Sequence, residues 1–84
     1  MTKLAPALEI ARLRAALPAP RLRRLIRERT GVPQTALAHE LGVDRTTICR
    51  WEAGTRTPQG GMLRRYVMLL ERLVAAGERQ RAAS

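Results

Sequence analysis

The sequence predicts an all-α protein, one compact bundle of about five helices. Apolar residues recur at spacings of three and four along most of the chain, the period of a helix face. β-branched residues are scattered, and no apolar–polar alternation of strand type reaches five residues. Glycine and proline gather between the periodic segments, where they stop one helix and start the next.

The first helix is expected over residues 4–17, with Leu4, Leu8, Ala11 and Ala15 on one stripe and Leu13 and Leu17 at helical spacing beside it. Pro18 and Pro20 end it and open the next, since proline suits a first turn and blocks a preceding helix. The second helix spans 21–30, with Leu22, Leu25 and Ile26 as its apolar stripe and Gly31 as its stop. A third, over 33–41, presents Leu37, Ala38 and Leu41. Gly42 and Val43 follow. Asp44 is a natural N-cap, because its carboxylate can accept backbone N–H groups. The fourth helix covers 45–53, with Ile48 and Trp51 on one face and Gly54 at its end. After the basic loop TRTPQGG, a last helix covers 62–76, with Leu63, Tyr66, Val67, Leu70 and either Leu73 or Val74 inside.

Eighty-four residues suit one small domain with a thin core. Sixteen Lys and Arg against seven Asp and Glu leave a net charge of +9, which attracts polyanions such as nucleic acid or an anionic membrane surface. Lys3 is the only lysine, and arginine forks onto phosphate and guanine better than lysine does. GC-rich coding explains a preference for arginine over lysine but not the net charge. Cys49 is the single cysteine and fits a reducing compartment. No secretory signal and no membrane-length apolar run is apparent, so a soluble, cytoplasmic and nucleoid-associated protein is expected.

Two short helices joined by a turn with glycine at its centre form a helix-turn-helix, here at 34–53. Ala38 is small where the helices cross, Gly42 permits positive φ, Val43 buries under the turn, and Ile48 and Trp51 anchor the second helix. The polar face of that helix is then free to enter the major groove of DNA.

The stretch QTALAHELGVDRTTICRWEAGTRTP resembles the Cro and phage-repressor type of helix-turn-helix, the XRE family. Gln34, Leu37, Ala38, Leu41, Gly42, Val43, Asp44, Ile48, Trp51, Glu52, Gly54 and Pro58 match its pattern in register, and the resemblance covers about residues 21–73. It implies a lambda-repressor-like fold and sequence-specific binding of double-stranded DNA by a transcriptional regulator, most often a repressor. Carried over by position, it implies that Arg45, Thr46, Thr47 and Arg50 read bases, while Gln34, Thr55, Arg56 and Thr57 hold phosphates. Arg27 and Glu52 match a structural ion pair joining the first family helix to the end of the reading helix. Arg-rich helices and the T-P-x-G loop look like those of small actinobacterial and actinophage members. The same module also serves excisionase-like architectural proteins and the antitoxins of toxin–antitoxin pairs. A homodimer, or a protein partner such as a toxin or recombinase, would then accompany the DNA; an RNA-binding basic protein is a further alternative.

The remaining residues read as ordinary surface or core. His39 has no neighbours at ligand spacing, so no metal or cofactor is expected. Cys49 reads as a small, partly exposed side chain. Ser84 is the only serine, which leaves no serine–histidine–carboxylate set, and Gly60 and Gly61 lack the G-K-[ST] of a phosphate loop. No enzyme is expected. The chain divides into an accessory helix with a proline linker at 1–19, the helix-turn-helix domain at 20–77 and a flexible basic tail at 78–84. Helix 4–17 lies outside the family core and is apolar enough to bury against it or against a second copy. Lys3, Arg12 and Arg14 without an aromatic anchor make it a poor membrane-surface helix. The single long last helix replaces the family's two short ones, where its repressors commonly dimerise.

Overall fold

In the computed structural model, which describes residues 4–83, the chain runs through α1 (Leu4–Ala16), α2 (Pro20–Arg29), α3 (Gln34–Leu41), α4 (Arg45–Ala53) and α5 (Gly61–Ala83). No strand occurs among the described residues. The expectations placed on Lys3, Ser84 and the side chain of Leu4 lie outside what the structure describes.

The core forms where α3, α4 and α5 meet. Leu37, Ala38 and Leu41, Ile48 and Trp51, and Tyr66 and Leu70 make one buried cluster. At its centre the rings of Trp51 and Tyr66 lie 4.8 Å apart between centroids, tilted by 41°, within the range of favourable aromatic packing. Pro58, in the loop after α4, is fully buried as well. Each fully buried side chain of this size contributes roughly 1.5–3 kcal/mol. Ala38 is buried at the crossing of α3 and α4, and its carbonyl accepts the Val43 amide at 2.9 Å, which closes the turn. Gly42 sits at φ +71°, a left-handed conformation that side chains with a Cβ resist.

Three helices depart from their expected form. In α2 the expected stripe is largely outside: Leu22 is 46% and Leu25 40% exposed, and only Ile26 is half-buried. Arg23 and Arg27 are the buried residues of this helix. The cause is the neighbour. Toward α2, the end of α4 offers a carboxylate and a backbone carbonyl, which suit guanidinium groups better than leucines.

In α1 the stripe that docks is the other one. Leu13 is half-buried and Leu17, just past the helix end, packs against the core, whereas Ala11 and Ala15 are exposed and Leu8 is 61% exposed. Glu9 pairs with Arg64 at 3.2 Å and ties α1 to α5.

Helix α5 runs on to Ala83, past the stop expected at 76. One glycine inside a helix costs about 1 kcal/mol against alanine, and Gly77 is followed by good helix formers that carry the helix through. Leu73 packs against the core while Val74 is exposed, which settles which of the two faces inward.

Candidate nucleic-acid interface

Asp44 opens α4. Its Oδ1 accepts the Thr47 amide at 2.9 Å and the Thr47 hydroxyl at 2.8 Å. Those two bonds, the backbone one first, hold the carboxyl below its ordinary value. The cap fixes where the helix starts, and so which residues occupy its first turn. Ile48, Trp51 and Glu52 face inward and are buried. Arg45, Thr46 and Arg50 are exposed on the rest of the helix, and Thr47 is half-buried with its hydroxyl proton committed to Asp44. A cation in the first turn is disfavoured by the helix dipole. Arg45 is nevertheless held in place, donating to Gln34 Oε1 at 3.1 Å.

Gln34, at the start of α3, links both ends of α4. It accepts from Arg45 and donates its own Nε2 to Glu52 Oε1 at 3.0 Å. Glu52 in turn receives Arg27 in a two-pronged pair, Nε to Oε2 at 2.5 Å and Nη2 to Oε1 at 2.9 Å. Glu52 keeps Arg27 firmly charged, first through that hydrogen bond, and Arg27 Nη1 also donates to the Val32 carbonyl at 3.0 Å. Arg27, Glu52, Gln34 and Arg45 thus form one continuous chain of hydrogen bonds from α2 to the exposed face of α4.

Beyond Gly54, which caps α4 at φ +79°, Thr55, Arg56 and Thr57 are all exposed. The Thr55 amide returns to the Arg50 carbonyl at 3.1 Å and that of Arg56 at 3.4 Å, which folds the loop back beside the helix. Cys49 lines an open groove beside Arg24, Gln34 and Ala53, and His39 is exposed on α3. Among the described residues no three His, Cys, Asp or Glu side chains could share a metal ion, and no helix is long and apolar enough to cross a membrane.

Sequence reasoning missed two buried groups. Arg23 donates Nε to the Pro18 carbonyl at 2.6 Å and Nη1 to the Trp51 carbonyl at 2.9 Å, and burial pushes its pKa below the usual value. One signal for it was available: Arg23 lies four residues before Arg27 and so shares its helix face. The second is the Tyr66 hydroxyl, which is buried and has no hydrogen-bond partner among the described residues. Burial pushes it up to about 12.

Among known proteins, the family model described as Helix-turn-helix matches residues 24–72, more than half of the chain, from α2 to the middle of α5. No curated protein and no solved structure matches. The matched segment contains the capped α4, the glycine turn before it and the Arg27–Glu52 pair behind it. The chain belongs to the Cro and phage-repressor type of helix-turn-helix, the XRE family of DNA-binding regulators.

Proposed function

We propose that the protein is a repressor that reads double-stranded DNA by laying α4 in the major groove. The observation that carries this reading is the division of α4 into two faces. Ile48, Trp51 and Glu52 are buried, while Arg45, Thr46 and Arg50 are exposed on a helix braced at both ends by Gln34. An arginine in this position can donate two hydrogen bonds to guanine O6 and N7, worth roughly 1–3 kcal/mol of discrimination against another base. Thr46 offers a hydroxyl or a methyl. Thr47, its proton engaged by Asp44, offers its methyl to thymine or a lone pair to a base amino group.

Gln34, Thr55, Arg56 and Thr57 hold the phosphates on either side, which sets register and affinity but not sequence. Repression follows from occupancy: a protein seated on a promoter excludes polymerase. A second copy on the adjoining half-site would place two reading helices about 34 Å apart, one turn of DNA. So small a domain buries limited DNA surface, and pairing supplies the missing affinity.

Selection of bound sequences from random duplexes, with Arg50→Ala in parallel, tests the reading. A defined motif is expected, palindromic if two copies bind together. Arg50→Ala is expected to lose preference at one position of each half-site. If that variant weakened every sequence equally and left the motif intact, Arg50 would not be a base reader.

A further inference from the structure

Arg23 is 7% exposed, and none of the described acidic side chains pairs with it. Its charge is answered by two backbone carbonyls that belong to different parts of the chain. Pro18 lies in the connector between α1 and α2, and Trp51 lies in the last turn of α4. Carbonyls in a last helical turn lack partners within the helix and carry the negative end of its dipole. A guanidinium suits such a place, because its planar fork holds donors in fixed, separate directions.

A second close approach, at the first residue of α2, reinforces this. A Cβ built on Gly54, the C-cap of α4, would stand 3.0 Å from Cγ of Pro20. The start of α2 therefore lies directly against the end of α4 at Pro20, and Arg23 joins both to the connector through the Pro18 carbonyl. Arg27 grips the adjacent Glu52 from the next turn of α2.

We infer that Arg23 is a positioning residue for DNA reading: it ties the C-terminal end of α4 to the α1–α2 connector and so sets the angle at which Arg45, Thr46 and Arg50 meet the groove. The inference rests on α4 being the reading helix. Nine residues make α4 about 13 Å long, so a tilt of about 10° at one end moves the other by roughly 2 Å. Hydrogen bonds to base edges do not tolerate such a shift. Arg23 itself touches no DNA. Its loss should therefore lower affinity without removing a phosphate contact. The segment ahead of α2 becomes part of the reading apparatus although it lies outside the family match.

The test uses the full chain carrying Arg23→Gln or Arg23→Lys, with two readouts. Residual dipolar couplings give the orientation of α4 relative to α5 in the free protein. Titration with the duplex recovered by selection on the wild type gives affinity and its salt dependence. Arg23→Gln should turn α4 and weaken binding about tenfold, as expected when a buried hydrogen-bonding group is lost. Its salt slope should match that of the wild type. Arg23→Lys keeps the charge and the aliphatic stem but not the fork. It should show a smaller loss in the same direction, and it decides the matter alone if the glutamine variant does not fold. Lower thermal stability with wild-type α4 orientation and wild-type affinity in the folded variants would overturn the inference. A reduced salt slope would also overturn it, by showing that Arg23 meets phosphate. Arg50→Ala, Arg45→Ala and Thr46→Ala, run alongside, separate the two layers. If all three leave the selected motif unchanged, the assignment of α4 fails, while the dipolar couplings still report on Arg23.

Discussion

Tyr66 combines favourable and unfavourable burial in one side chain. Its ring packs on Trp51, yet its hydroxyl is enclosed without a hydrogen-bond partner among the described residues. A buried hydroxyl left unpaired costs about 1–3 kcal/mol. Tyr66→Phe removes that cost and keeps the ring, so the variant should be more stable than the wild type at pH 7, by about 1 kcal/mol. The pH dependence gives an independent check. Burial raises the folded-state value to about 12, above the ordinary 10.0. The fold therefore favours the neutral phenol, and the unfolded chain ionises first. That contribution is complete below pH 10 and is lost as pH rises from 10 toward 12. Tyr66 is the only tyrosine. The gap between variant and wild type in urea unfolding should widen over this window. A phenylalanine variant less stable at pH 7 would mean that the hydroxyl contributes favourably after all.

The turn elements on either side of α4 differ in a way that can be measured. Gly42 and Gly54 share a left-handed backbone, which costs an L-residue roughly 1–2 kcal/mol. A Cβ at Gly42 meets nothing within 4 Å, whereas one at Gly54 meets the Pro20 ring at 3.0 Å. Gly54→Ala should therefore lower stability more than Gly42→Ala in matched denaturation curves. Equal losses would mean that Pro20 yields freely. These same turns were legible in the sequence because their causes are local: a cap residue, a glycine, and a small residue at a crossing. Asp44, Gly42 and Ala38 each state their own geometry. Helix α2 was not legible in that way. Its leucines and arginines each recur at helical spacing, and which set turns inward depends on what α4 presents, a fact distant in sequence. Arg27 was placed by resemblance to a family pair, but Arg23 had no such guide and reads in isolation as a solvated charge. The end of α5 was missed for a milder reason. A lone glycine looks like a stop, and the helix formers after Gly77 outweigh it. The hydrogen bonds of Gln34 were not visible, since resemblance gave it a phosphate and no spacing shows that one amide joins both Arg45 and Glu52.

Across the whole molecule the net charge of +9 divides into groups with different physical roles. Arg23 and Arg27 are buried and hold α4. Arg45, Arg50 and Arg56 are exposed on α4 and the loop that follows it. Most of the others stand on α1, α2 and α5, several in local contacts such as Arg24 with Glu28, Arg64 with Glu9 and Arg65 with the Glu40 carbonyl. Charge in contact with a phosphate releases a counterion, and charge elsewhere acts only through a screened field with a reach of about 8 Å at physiological salt. The two can be told apart by the dependence of affinity on salt. Arg56→Ala should flatten the slope of log K against log salt by about one unit and leave the selected motif unchanged. Arg79→Ala removes the same formal charge from the last turns of α5, a segment that lines a groove with Arg29 of α2 and Thr30 just past its end. It should leave both the slope and the affinity at physiological salt close to those of the wild type. Equal slopes for Arg56→Ala and the wild type would place the loop after α4 away from the DNA backbone. A slope reduced by Arg79→Ala would instead extend the DNA-binding surface to the end of α5.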